Sequence, residues 1–173
     1  MRFDLVALAS FFATASAVDI YFHGNNNCGG STTSCPSANP NWCCGGNTAS
    51  NFQSVAVRGV SKGWDMQLRG YSGGNCKKLM TVSKNNGHDW ICNRSNGFKY
   101  TGAGYNFVGK KRAESGSGSG TECQRPDILT LVDGTEYDLS SLNDDDYENL
   151  VAIGFNATEH AEIPEEYQSL QIK

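Results

Sequence analysis

Between residues 18 and 112 this 173-residue chain has no glutamate, and in all it has only three histidines, His23, His88 and His160. That poverty removes the His/Glu acid–base pairing of secreted ribonucleases from the stretch. His88 adjoins Asp89, but a catalytic triad is a matter of spatial geometry, so adjacency implies nothing. No nucleophile elbow, phosphate-cradling glycine loop or paired zinc-ligand spacing occurs either. The expectation is therefore a protein without catalysis, metal or cofactor. Long apolar runs are also lacking. The longest, residues 5–13, is well short of the roughly 20 residues a membrane-spanning helix needs. Helical periodicity is absent before residue 110, so the first part of the chain reads as all-β.

The apolar run has a different use. Arg2 precedes it, and Ala15, Ser16 and Ala17 follow it as a small-x-small site. This is the form of a secretory signal peptide, with cleavage expected after Ala17. Seven cysteines then read as a disulfide framework in an oxidising compartment: Cys28, Cys35, Cys43, Cys44, Cys76, Cys92 and Cys123. Six precede residue 93, and Cys123 is the odd one. The vicinal pair Cys43 and Cys44 is expected to reach two different partners, because bridging neighbours strains the peptide between them.

Charge divides the chain. Residues 18–112 carry eleven Lys and Arg against three Asp, and residues 113–173 carry two basic groups against fourteen acidic ones. At the joint, Lys110, Lys111 and Arg112 stand before a Ser/Gly repeat at residues 115–120. A basic triplet beside a flexible linker is accessible to proteases and resembles the dibasic site of kexin-type processing enzymes. The expected organisation is a signal peptide (1–17), a basic disulfide-rich β domain (18–109), a processing site and linker (110–122) and an acidic hairpin–helix tail (123–173). Opposite charge across a short linker suggests that the tail docks on the basic domain.

Inside the basic half, Trp64, Met66 and Leu68 alternate with Asp65, Gln67 and Arg69, the period of a half-buried strand. The half also looks duplicated. Residues 20–24 align with 66–70, each leading through an Asn/Gly-rich turn to a cysteine, Cys28 and Cys76. Cys44 and Cys92 then each precede another strand. Two such copies fit a double Greek-key sandwich around one shared core.

Phe52, Ser54, Val55 and Val57, then Trp64 to Leu68, then Tyr71 and Gly73 resemble the βγ-crystallin superfamily. Its motif joins an apolar-x-Ser-Val-x-Val strand to the next strand and an aromatic-x-Gly turn. The resemblance covers roughly residues 18–110. It implies a double Greek-key βγ-crystallin-like sandwich, like that of secreted disulfide-bonded antimicrobial and killer-toxin-like proteins. Many members bind calcium just before the Val-x-Val strand, but residues 49–54 here contain no carboxylate, and calcium wants six to eight oxygens, usually some of them charged. The other acidic run, Asp144 to Asp146, lacks the alternation and glycine of an EF-hand and suits a helix first turn.

Cys28, Cys35, Cys43 and Cys44 also resemble the opening of the hevein-type chitin-binding module, with Trp42 as the residue that would stack on a sugar. Asn93 and Asn156 begin glycosylation sequons, usable where exposed. In the tail, Asp133 and Gly134 between apolar strands predict a two-residue hairpin. Ser140 or Ser141 is expected to cap a helix over about residues 143–153. The functional expectation is a secreted, fungal-type effector or antimicrobial, toxin-like protein acting by binding, the alternative being a module for chitin or another wall glycan. Expected partners are an anionic membrane, a cell-wall polymer or a host protein; nucleic acid is not expected.

Overall fold

Residues 18–109 and 123–172 are described by the structure, a computed structural model. The expected signal cleavage at Ala17 and the processing triplet Lys110, Lys111 and Arg112 lie outside the described residues.

Alternation of apolar and polar residues forms the strands. In β1 (Val18–His23), Val18, Ile20 and Phe22 point inward, and β1 pairs antiparallel with β2 (Thr32–Ala38) and β4 (Ser54–Arg58). In β5 (Met66–Ser72), Met66, Leu68 and Gly70 point inward. β5 lies between β6 (Lys78–Lys84) and β8 (Gly102–Phe107). The short β3 (Cys44–Gly45) and β7 (Trp90–Arg94) change places: β7 pairs with β4, and β3 with β8. Each sheet thus takes three strands from one half of the basic region and one from the other. Neither half can close its own sheet without the exchange.

The two inner faces meet in a core of Ile20, Phe22, Val55, Val57 and Ile91 on one side and Met66, Leu68, Ala103 and Tyr105 on the other. Full burial of side chains of this size contributes about 1.5–3 kcal/mol each. Gly70 is required by the packing, since a Cβ there would collide with the Tyr100 ring.

The tail continues the same sheet. Strand β9 (Ile128–Thr130) pairs antiparallel with the outer edge of β2, with Leu129 opposite Thr33, and β10 (Glu136–Asp138) follows by a hairpin. The turn falls where the sequence places it but is longer than the expected two-residue hairpin: Gly134 N donates to Leu131 O at 3.1 Å and Leu131 N to Thr135 O at 2.9 Å, so Val132 and Asp133 are its central residues and Gly134 follows them. Gly134 has φ 89°, and the Asp133 side chain accepts from the Thr135 amide at 2.8 Å. The sheet order becomes β10-β9-β2-β1-β4-β7, against β3-β8-β5-β6 in the other. The far edge of β10 is also occupied, because Ile172 N donates to Glu136 O at 2.8 Å.

Helix α1 (Asp144–Gly154) packs on β9 through Tyr147, Leu150, Val151 and Gly154. A Cβ on Gly154 would stand 2.6 Å from Leu129 Cδ2, so glycine sets how closely helix and strand approach. The cap differs from expectation. Asn143 Oδ1 accepts from Asp146 N at 3.0 Å, whereas Ser140 lies in a turn with its amide on Asp138 Oδ1. The serines lie too far upstream, and Asn143 stands where the first unpaired amides emerge. A 3-10 turn (His160–Glu162) and the short α2 (Glu165–Gln168) complete the tail. Phe155 meets Phe52 edge-on at 6.0 Å, and one apolar cluster runs through both halves. The described chain is mostly β, and no described helix is long and apolar enough to cross a membrane.

Candidate binding surfaces and the cysteine cluster

Disulfides tie the sandwich together. Cys28 bridges to Cys92 with Cα atoms 6.1 Å apart, and Cys35 to Cys44 at 6.2 Å. The second bridge joins the two sheets, from β2 to β3. Cys43 stands within bonding reach of both Cys76 and Cys123, with Cα separations of 6.2 and 4.9 Å. All fall within the span a disulfide can close. The vicinal cysteines do part company: Cys44 turns to Cys35, and Cys43 to the other two.

The loop at residues 24–31 folds back over the outer face of β4. Ser54 Oγ accepts from Cys28 N at 3.1 Å and donates to Asn25 O at 2.7 Å. Arg58 donates to Cys28 O at 3.0 Å, with its guanidinium 5.3 Å from the Tyr21 ring centroid. Beneath this loop His23 is fully buried. A carbonyl can only accept, so His23 Nδ1 carries the proton and donates to Gly29 O at 3.1 Å. Its Nε2 has no partner among the described residues. Burial drives the imidazole down to about 4, so it is neutral at pH 7.

Two surfaces can receive a ligand. The first is a cleft of about 440 Å³ where that loop, residues 51–53 and Lys99 face Glu148, Phe155 and Asn156 of the tail. Its walls offer amides from Asn25, Asn51, Gln53 and Asn156. Glu148 accepts from Ser50 Oγ at 3.1 Å, and desolvation raises its carboxyl above the ordinary value. The chemistry suits a neutral polyhydroxy group, with hydrogen-bond donors and acceptors and an aromatic wall.

The second surface is the outer face of β5 and β6. Across the ladder, Tyr71 stands opposite Leu79, Arg69 opposite Val82, and Gln67 opposite Lys84. Leu79 is 50% and Val82 47% exposed, and Lys77 and Lys78 stand exposed at the start of β6. Neither strand contains a carboxylate. The described acidic tail lies elsewhere, beyond β2, while β6 and β7 sit at the opposite ends of their sheets. Among the described residues the one ion pair, Arg125 to Asp144 at 2.8 Å, is internal to the tail. The tail meets the basic half through backbone hydrogen bonds, apolar burial and two serine hydroxyls, Ser50 Oγ donating to Glu148 and Ser31 Oγ donating to Ala157 O at 3.0 Å.

Trp42, singled out for sugar stacking, is half-buried and packs against the core beside β8. Asn93 is 3% exposed and donates to Leu68 O at 3.2 Å, so in the folded chain its sequon is closed off, whereas Asn156 is exposed. The sequence reading passed over Trp90, 48% exposed on β7. Its signal was parity: Ile91 and Asn93 point inward, so Trp90 must point out.

These features define a disulfide-bonded β-sandwich whose sheet is extended by a hairpin and backed there by a helix. Residues 19–127 match the family model described as the ARB_05566_N N-terminal domain, and the chain belongs to that family. The match runs past the linker to Asp127, the residue whose amide bonds Ser34 O at 3.0 Å. No curated protein and no solved structure matches the chain.

Proposed function

We propose that this is a secreted effector or antimicrobial, toxin-like protein that acts by binding an anionic surface, with the outer face of β5 and β6 as its contact. The observation that carries this reading is the composition of that face: exposed Leu79 and Val82 beside Arg69 and Lys84, without a carboxylate. Cations draw the protein to anionic headgroups or wall polymer, each contributing on the order of 1 kcal/mol near an anionic membrane. The aliphatic side chains then gain by leaving water. The strand order, with the third strands exchanged between the halves, supports a double Greek key of the βγ-crystallin kind. The disulfides and the N-terminal segment support export, with cleavage after Ala17 and after Arg112.

Co-sedimentation of the whole secreted protein with phosphatidylglycerol vesicles tests the reading. Binding is expected to fall severalfold between 50 and about 300 mM salt, and about fivefold or more in Arg69→Ala and Lys84→Ala. Equal binding to neutral vesicles, or indifference to both substitutions, overturns it. The amide-lined cleft favours a second reading, a wall-glycan binder. That reading predicts retention on insoluble chitin that Glu148→Ala weakens and Lys84→Ala leaves intact.

A further inference from the structure

Seven sulfurs cannot all pair within one chain, and the fold itself says where the odd one stands. Cys28 and Cys76 hold equivalent places. Each follows a central strand, β1 or β5, and each has a left-handed backbone, φ 55° and 52°. Cys28 bridges to β7, the strand its sheet receives from the other half. Cys44, which the sequence repeat sets beside Cys92, is bridged to Cys35, so the partner of Cys76 is its neighbour Cys43, next to β3, the strand the second sheet receives in the same way. The Cα separations, 6.1 and 6.2 Å, match. Cys43–Cys76 is therefore the bridge that the internal repeat builds.

Cys123 approaches the same sulfur from the tail. Gln124 holds it there, since its amide donates to Cys43 O at 3.2 Å and its carbonyl accepts from Gly45 N at 2.8 Å. The Cys43, Cys76 and Cys123 sulfurs all lie within 4.8 Å of one another; Cys43 is buried, and the other two are half-exposed.

We propose that these three cysteines form an internal thiol–disulfide exchange site. The Cys123 thiolate attacks Cys43 Sγ; the Cys43–Cys123 bond forms as Cys43–Cys76 breaks, and the electron pair leaves on Cys76 sulfur, which takes up a proton. The reverse step is equivalent. One bridge replaces another, so no outside oxidant or reductant enters. The two states differ in what they tie down. Cys43–Cys76 closes a loop within the basic half, with a separation of 33 residues, whereas Cys43–Cys123 spans 80 and staples the tail to the sandwich.

Differential alkylation of the full chain, secreted from an oxidising host, tests this. The protein is acid-quenched, denatured and labelled with N-ethylmaleimide before reduction, and the label is mapped by peptide mass spectrometry. One thiol per chain is expected, divided between Cys76 and Cys123 within about tenfold, and none at Cys28, Cys35, Cys43, Cys44 or Cys92. Cys123→Ser and Cys76→Ser should each fold without any free thiol, the first carrying Cys43–Cys76 and the second Cys43–Cys123. Label confined to a single cysteine at every pH from about 5 to 8.5, label on Cys43, or a chain-to-chain disulfide that consumes the thiol would each overturn the proposal. These results do not depend on whether the protein binds vesicles or chitin.

Discussion

Strands β2 and β6 hold the same place in their sheets, each beside a central strand, yet their surroundings are opposite. β2 begins Thr-Thr-Ser-Cys and is buried over those four residues; β6 reads Lys-Leu-Met-Thr-Val-Ser-Lys and is largely open. The polar strand is inside and the more apolar one outside. Pairing decides the difference. β9 takes up the free edge of β2, and α1 covers the ground beyond the smaller sheet, where small hydroxyl side chains let another layer approach. β6 keeps a free edge, and its lysines at both ends discourage another strand from adding there. Burial in this molecule is thus set by which neighbour arrives, and composition alone points the wrong way.

The sharpest way to break that contrast is to truncate one leucine on each side. Leu129, opposite Thr33 and against Gly154, is fully buried, whereas Leu79 is half in solvent. Leu129→Ala should lower unfolding stability by about 2–5 kcal/mol, the range for truncating a buried leucine. Leu79→Ala should stay within about 0.5 kcal/mol. Urea unfolding of both variants checks this. Similar midpoints would mean that the tail does not share the cooperative fold of the sandwich.

A second difference lies in the outer faces. The loop at residues 24–31 seals the six-stranded sheet over His23, while nothing described seals β5 and β6 in the same way. The His23 imidazole sits at about 4 in the fold, against about 6.5 when unfolded. Between those values the unfolded chain binds the extra proton, so this stabilisation is present above pH 6.5 and is lost as pH falls towards 4. The loss is on the order of 3 kcal/mol at pH 4. Glu148 and Asp127, raised by desolvation, act in the opposite sense and blunt it. His23→Gln should flatten the dependence of urea midpoint on pH between 4 and 6.5. An unchanged slope would show that the loop opens readily and lets His23 titrate in water.

Local pattern made much of this legible. Alternation in residues 64–69 located β5, the Asp133 and Gly134 pair located the hairpin turn, and the vicinal cysteines announced separate partners. What stayed hidden needed the third dimension. Nothing in the β2 residues themselves announces β9, because Thr and Ser suit a loop as well as a packed edge. The inward parity of Asn93, whose amide reaches Leu68 O, disguised a buried residue as a modification site. Trp42 looked functional by kind, and Trp90, the exposed one, drew no notice because no motif contains it. The cleft at Glu148 joins segments about a hundred residues apart, beyond the reach of any periodicity.

The closed side also carries a flaw, and correcting it should sharpen the contrast by the smallest step. Tyr147 is fully buried on α1, and its Oη has no hydrogen-bond partner among the described residues; nor has Thr33 Oγ1 on β2. The two hydroxyls face each other without reaching bonding geometry, and burial raises the Tyr147 phenol well above its ordinary value. A buried polar group without a partner costs on the order of 1–3 kcal/mol of desolvation, so removing the hydroxyl while keeping the ring recovers part of it. Tyr147→Phe and Thr33→Val should each leave stability unchanged or raise it by up to about 1 kcal/mol, read from urea midpoints at constant slope. If the hydroxyls were bonded in solution, either single change would instead destabilise the protein, and the double variant would restore what the second loss adds. The cycle thus separates an imperfect interface from a satisfied one.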